Sequence, residues 1–366
     1  MGLSKSMTVA VKKPRTRTSS AVQLHSLCKK LNRWFGRNAR DLPWRRTRDP
    51  YAIWVSEVML QQTQVKTVLP YWERWIATLP DIAALALANS EQIHKLWEGL
   101  GYYTRVRNMR KAAKVIQEKH KGRFPTEYSQ VLALPGIGRY TAGAICSIAF
   151  NQPTPVLDGN VIRVLTRVFG IRGDPREKQT NAKLWEIAEG FARSTAHPGQ
   201  LNQALMELGA LVCTSRNPLC ATCPLAHQCV ARKHRLVDSL PELPHRAPST
   251  RRRFFAFVMQ DKGRVLIRQR QPGQVNAHLW EFPNVEIFPG DGDLKEAARK
   301  CLGRVPREIE PFCTIKHSIT RYRIGLEAYL TSGNLPLKNG AGRWMPFSRA
   351  RQLPFTSAHK RILERL

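Results

Sequence analysis

Cys213, Cys220, Cys223 and Cys229 fall within seventeen consecutive positions, with six, two and five residues between them. Thiolates this close in sequence can wrap one soft metal centre, either tetrahedral zinc or an iron–sulfur cube. Disulfides are the competing reading, but they suit a small secreted domain with a signal peptide, and this chain of 366 residues fits neither description. Zinc sites usually pair two short C-x-x-C knuckles, and only Cys220 and Cys223 form one here. Spacing alone therefore leans towards iron–sulfur and leaves zinc open.

Two carboxylates could do acid–base or electrostatic work. Glu57 lies in Ile-Trp-Val-Ser-Glu-Val-Met-Leu, surrounded by apolar residues. A carboxyl in such surroundings resists ionising, and a pKa raised towards neutrality would suit proton donation. A surface glutamate on the polar face of an amphipathic helix is the plainer alternative. Asp158, in Pro-Val-Leu-Asp-Gly-Asn-Val, stands just before a helical pattern. It reads as an N-cap that stays ionised and could face a developing cation. Between them in sequence, Leu-Pro-Gly-Ile-Gly-Arg-Tyr-Thr-Ala spans 134–142. Gly136 and Gly138 permit a tight turn whose N–H groups, at the start of a helix, would bind a phosphate without reading sequence; taken alone, the turn fits an ordinary interhelical connector equally well, and the cysteine cluster and basic charge favour the phosphate site. With a first helix over 126–133, this is the pattern of a helix–hairpin–helix.

These groups need a scaffold and a partner. The chain carries 59 Lys+Arg against 27 Asp+Glu, a net charge of +32, which nominates a polyanion, double-stranded nucleic acid foremost. No apolar run is long enough to span a bilayer. Residues 1–20 read as a disordered basic arm, a phosphate-binding tail rather than a transit peptide. From 21 to 230 the periodicity is helical, with segments at 51–68, 90–100, 105–120, 139–150, 161–169, 182–193 and 201–212. Prolines, Pro70 among them, punctuate these segments as starts and breakers. Residues 231–250 read as a linker. Beyond it, strands are expected at 254–259, 265–267 and 324–330, and helices at 294–301 and 358–366. The expected fold class is multi-domain: an all-α domain at 21–230, then an α+β domain at 251–366.

Trp-Val-Ser-Glu-Val-Met-Leu-Gln-Gln-Thr-Gln-Val at 54–65, Gly-Leu-Gly-Tyr-Tyr at 99–103, the hairpin, Leu-Asp-Gly-Asn-Val at 157–161 and the four cysteines follow one another in this order. The combination resembles the MutY family of adenine DNA glycosylases, within the endonuclease III superfamily, over about 40–230. The resemblance implies a [4Fe-4S] cluster on the four cysteines and a base-excision-repair hydrolase that removes adenine opposite 8-oxoguanine or guanine. It implies Glu57 as the acid protonating the base and Asp158 as the stabiliser of an oxocarbenium-like sugar. Asn160 and Tyr140 would orient Asp158 and the sugar. Trp44, Arg45 and Gln203 would line the adenine pocket, and Gln62 and Tyr102 would wedge into the duplex. Lyase-type relatives carry a lysine where this chain has Tyr140, so a monofunctional glycosylase is expected. A monomer on DNA in a bacterial cytoplasm, associated with the nucleoid, completes the expectation.

Residues 251–366 resemble the Nudix-like C-terminal domain of the same family. Only Glu296 in the stretch 294–303 could hold a metal ion, so lesion reading rather than pyrophosphate hydrolysis is expected. The family commonly shows Phe-Ser-His in the loop that meets 8-oxoguanine, and this chain has Ile319, Thr320 and Arg321, so Thr320 alone keeps a hydroxyl. Two alternatives stand beside this reading: a G·T mismatch thymine glycosylase of the same superfamily, and a catalytically inactive iron–sulfur DNA-binding protein.

Overall fold

The computed structural model describes residues 17–244, 248–288, 290, 292–319, 321–332 and 342–366. In chain order the first helices are α1 (Arg17–Asn38), α2 (Pro50–Leu60), α3 (Val65–Thr78), α4 (Ile82–Leu87), α5 (Ser90–Leu96) and α6 (Thr104–Lys119). They continue as α7 (Tyr128–Leu132), α8 (Arg139–Phe150), α9 (Gly159–Phe169), α10 (Lys178–Arg193), α11 (Pro198–Leu211) and α12 (Val230–Lys233). A 3-10 turn at Pro43–Arg45 joins α1 to α2. The strands are β1 (Thr250–Asp261), β2 (Arg264–Gln269), β3 (Trp280–Glu281), β4 (Asn284–Ile287), β5 (Glu308–Ile319), β6 (Tyr322–Ser332) and β7 (Arg343–Pro346), with helices α13 (Leu294–Leu302), α14 (Phe347–Ala350) and α15 (Ser357–Leu363) among and after them.

Contacts divide the chain into two compact units that do not follow linear order. One holds the described residues up to Ile53 with Thr126–Leu132 and Ile137–Pro244; the other holds Trp54–Pro125, Ala133–Gly136 and the described residues from 248 onward. In the first, α1, α8, α9, α10 and α11 close around one apolar core. Leu27, Leu31, Val164, Leu165, Leu184, Phe191, Leu205 and Leu208 are all almost fully buried there. Close backbone approach needs glycine at two places, one where α8 meets the loop before α9 and one where α11 crosses α8. A Cβ at Gly143 would sit 2.0 Å from the Pro155 carbonyl oxygen, and one at Gly199 would sit 2.3 Å from that of Ser147.

The second unit contains a mixed sheet of seven strands among the described residues, in the order β3-β2-β1-β6-β5, with β4 on β1 and β7 on β2. β1 and β6 run parallel and the other pairs antiparallel. The period of two along β1 decides which side chains face which layer. Ala256 and Val258 join the core under α15, whereas Phe255, Phe257 and Met259 join the core under α13. Both faces of the sheet are thus covered by helices. In the helical part of this unit Trp75 meets Trp97 edge-on at 5.6 Å, and Trp54 meets Phe124 at 5.7 Å.

Several expected boundaries move. The segment 51–68 is two helices, α2 and α3, because the polar run Gln61–Gln64 leaves the helical conformation and Gln62 takes a left-handed φ of 57°. Pro70 lies inside α3 and does not end it. The carbonyl it deprives of a partner belongs to exposed Lys66, where water can serve instead. Helix α1 starts at Arg17, inside the segment expected to be a disordered arm. α10 begins at Lys178, four residues early; α1 and α4 fall in the helical region without a named segment, and β3, β4, β5 and β7 match no expected strand.

Candidate active site

In the first unit Asp158 is the N-cap of α9. Its Oδ1 accepts the N–H of Val161 at 2.7 Å and its Oδ2 accepts the Asn160 amide at 3.0 Å. Burial raises its pKa above the ordinary carboxylate range, and these two neutral donors oppose the rise only in part. Asn160 in turn accepts from the Arg163 guanidinium at 2.8 Å, and Arg163 also donates to the carbonyls of Gly209 (2.7 Å) and Cys213 (2.6 Å). Gly209 is where α11 touches this arrangement: a Cβ there would lie 2.6 Å from the Asn160 Cβ. A continuous set of hydrogen bonds thus runs from Asp158 to the first of the four cysteines.

The four thiols are free, partly exposed, and line a small pocket of about 20 Å³ with Val164, Arg167 and Leu208. Arg167 donates to the Cys213 sulfur at 3.5 Å and to the Thr214 carbonyl at 2.7 Å. Among the described residues no His, Cys, Asp and Glu group is gathered as one metal ion requires. The cysteines nonetheless surround a common space, and a multi-atom cluster would be held by thiolates spaced more widely than a single ion needs. The donor set fits an iron–sulfur cluster: four soft ligands, an apolar surround, and cationic and N–H donors facing the sulfurs.

Trp44 is buried in the 3-10 turn. Arg45 beside it, expected to line a base pocket, directs its guanidinium to Glu207 at 2.8 and 2.9 Å. Glu207, which sequence reasoning missed, is 1 % exposed and also holds Arg40. Burial alone would raise its pKa, but the bonds from Arg40 and Arg45 prevail and depress it to about 2. Tyr140, near the start of α8, donates its hydroxyl to the Met206 sulfur at 3.3 Å. Gln203 is partly exposed on α11 and donates to the Gly199 carbonyl at 3.3 Å.

Gly138 is the N-cap of α8, with open space where a Cβ would be. The first hairpin helix is shorter than expected, Tyr128–Leu132.

In the second unit Glu57 is 5 % exposed, so it is no surface glutamate. Its helix α2 is buried almost throughout; Asp49 starts that helix by accepting the N–H groups of Tyr51 and Ala52. A cavity of about 220 Å³ opens beside α2, lined by Trp54, Gln62, Tyr102, Asn108 and Gly136 among others. Gly136 has φ 77°, and a Cβ there would strike Asn108 at 2.5 Å, so this hairpin position admits only glycine. Both expected wedge residues are exposed and both adopt left-handed backbone, Gln62 at φ 57° and Tyr102 at φ 49°. That conformation is costly for such side chains and persists only where the surroundings enforce it. Arg105 does so. Its guanidinium donates to the carbonyls of Val58, Met59 and Gln61 at the end of α2, and to those of Leu100 and Gly101 in the turn before Tyr102. It also lies 5.6 Å from the Tyr102 ring centre.

Of the positions expected to meet the lesion, Thr320 lies outside the described residues. Strands β5 and β6 pair up to Ile319 and Tyr322, and Arg321 donates to the Tyr322 hydroxyl at 3.2 Å. Glu296 on α13 is ion-paired with Arg299.

Family models match three segments. These are the HhH-GPD superfamily of base excision DNA repair proteins over 55–189, the iron–sulfur binding domain of endonuclease III over 213–229, and a NUDIX domain over 254–365. The second match, whose span contains the four cysteines, makes the cofactor a 4Fe-4S cluster. An adenine DNA glycosylase of Rattus norvegicus is 35 % identical over 397 residues, covering 90 % of this chain and 75 % of its own length. One from Buchnera aphidicola subsp. Acyrthosiphon pisum is 43 % identical over 209 residues, 57 % of this chain and 59 % of its own. Among solved structures, a thermostable thymine-DNA glycosylase is similar at TM-score 0.54 and 26 % identity, covering 59 % of this chain and 99 % of that one.

Proposed function

Because the chain belongs to the adenine DNA glycosylase family, we propose that it excises adenine standing opposite 8-oxoguanine or guanine in duplex DNA. It is a base-excision-repair enzyme of the N-glycosyl hydrolase class, with DNA as its partner. The observation that supports the chemistry is the burial of Glu57 inside the apolar helix α2. A carboxyl held there is suited to remain protonated and to donate to N7 of adenine, which otherwise departs as a poor anionic leaving group. The sugar then develops oxocarbenium character, and the Asp158 carboxylate, aligned by Val161 and Asn160, stabilises it before water completes hydrolysis. Adenine reaches these groups by leaving the base stack, with Gln62 and Tyr102 filling the space behind it. The backbone at Gly136 and Gly138 holds a phosphate. Tyr140 supplies no amine for a Schiff base, so the strand is not cut by the enzyme. When bound, the cluster cross-links the 213–229 loop through four thiolates, which settles exposed Arg216 and Lys233 near the DNA backbone. The enzyme acts as a monomer in the bacterial cytoplasm, at the nucleoid; no helix among the described residues is long and apolar enough to cross a membrane.

Likeness to a thymine-DNA glycosylase favours a second reading, thymine release from G·T pairs. Single-turnover base release from duplexes with A opposite 8-oxoguanine, A opposite G and T opposite G, with and without alkali, separates the two. We expect adenine release, fastest opposite 8-oxoguanine, with strand breaks only after alkali. Thymine release, or breaks without alkali, overturns the proposal. Glu57→Gln should abolish release while duplex binding persists; unchanged release removes the acid role.

A further inference from the structure

The turn that presents Tyr102 is anchored at its other end by a buried carboxylate. Glu98, 6 % exposed, directly precedes Gly99, Leu100, Gly101 and Tyr102, three of which have left-handed backbone. Its own carbonyl accepts the Tyr71 hydroxyl at 2.7 Å, and a Cβ at Gly99 would lie 2.4 Å from that same oxygen. The Gly101 carbonyl is held by the Trp97 indole at 3.0 Å. Three residues separate Glu98 from Tyr102, and little slack remains between them.

The Glu98 carboxylate points into the C-terminal module. Oε1 accepts the N–H of Phe355 at 2.8 Å, and Oε2 accepts Lys360 at 2.7 Å and Lys95 at 3.1 Å. Lys95 also donates to the carbonyls of Arg351 and Leu353. Phe355 and Lys360 flank the start of α15, and α15 packs on β5, which ends at Ile319. A physical path therefore joins the β5 tip, α15, Glu98 and the Tyr102 turn. A charged hydrogen-bond acceptor buried this deeply cannot shift without leaving several donors unpaired.

We propose that Glu98 is a positioning residue through which the C-terminal module sets the Tyr102 turn, so that the base opposite adenine influences excision through the wedge. This rests on the reading of Tyr102 as a wedge. The test is a double-variant cycle on the full chain with its cluster in place. Single-turnover adenine release opposite 8-oxoguanine and opposite guanine is measured for Glu98→Ala, Tyr102→Ala and the pair. Glu91→Ala is the control, since Glu91 pairs with Arg349 of the same module at 2.6 Å but is half-exposed and stands at the start of α5.

Glu98→Ala should slow release opposite 8-oxoguanine by roughly tenfold more than opposite guanine, the scale of one charged hydrogen bond. It should add less than about twofold once Tyr102 is alanine, and Glu91→Ala should stay within about twofold of the parent. Independent, multiplicative losses in the pair overturn the inference and leave the wedge standing, as does an equal loss on both duplexes. Unchanged release by Tyr102→Ala overturns the wedge reading itself. Should Glu98→Ala fail to fold, Glu98→Gln keeps an acceptor for Phe355, removes only the charge and carries the same cycle.

Discussion

Asp158, half-buried, and Glu207, almost wholly buried, belong to the same unit, and their acidities move in opposite directions. Glu207 receives two guanidinium forks, from Arg40 and Arg45, and is held at about 2. Asp158 receives a backbone N–H and a side-chain amide, and its pKa rises. The nearest cation to Asp158 is kept one step away, because Arg163 meets Asn160 and not the aspartate. A fully paired carboxylate is quenched as a reagent and serves as a structural tie. A carboxylate held by neutral donors keeps its field available to a cation that forms in front of it. What depresses one and not the other is the charge of the partners.

The sharpest way to break this comparison is to neutralise each group in turn. Asp158→Asn should lower single-turnover adenine release by about 10³-fold or more, the scale set by removing one preorganised stabiliser. Its melting temperature should barely change, since asparagine remains a good N-cap. If release persists, the electrostatic role is wrong. Glu207→Gln should do the reverse, costing about 3–5 kcal/mol in denaturant melts by stranding two cations, while the folded fraction still turns over.

Acid titration sharpens the contrast further. The stability that Glu207 contributes is complete above its ordinary pKa of 4.5 and drains away as pH falls towards about 2. A depression of that size corresponds to roughly 3 kcal/mol at neutral pH. Melts of the parent and Glu207→Gln should therefore converge across that window, and a constant gap would deny the ion pair its role. The smallest effect is expected from Asn160→Ala. Losing that amide lets the Asp158 pKa climb further, so the acid limb of the rate profile should move to higher pH, with about a tenfold loss at most for one neutral hydrogen bond. An unmoved limb would mean that Asp158 is not the group titrating.

What could be read from sequence were groups whose neighbours are local. Glu57 stands out because its helix is apolar on both sides, Asp158 because Gly-Asn-Val follows it, and Gly136 because a tight turn demands a left-handed residue. Partners supplied by distant segments left no such trace. Nothing near Glu207 announces Arg40, 167 residues away, and nothing near Glu98 announces Lys360, 262 residues away. Arg105 is one of several basic residues on α6 in the sequence, and the five carbonyls that accept from it come from elsewhere in the chain. The same limit explains the missed strand: β5 contains Pro311 and many exposed positions, and it is a strand because β6 pairs with it. Gln61–Gln64 carried no glycine or proline to show where α2 stops.

Gly209 has a consequence for anyone who would edit this protein for robustness. Within a helix it counts as a blemish, and replacing such glycines with alanine is a routine way to gain about 0.5–1 kcal/mol. Here the added methyl would arrive 2.6 Å from the Asn160 Cβ. The edit would push aside the side chain that aligns Asp158, and a screen that scored thermal tolerance alone would not notice what had been traded away.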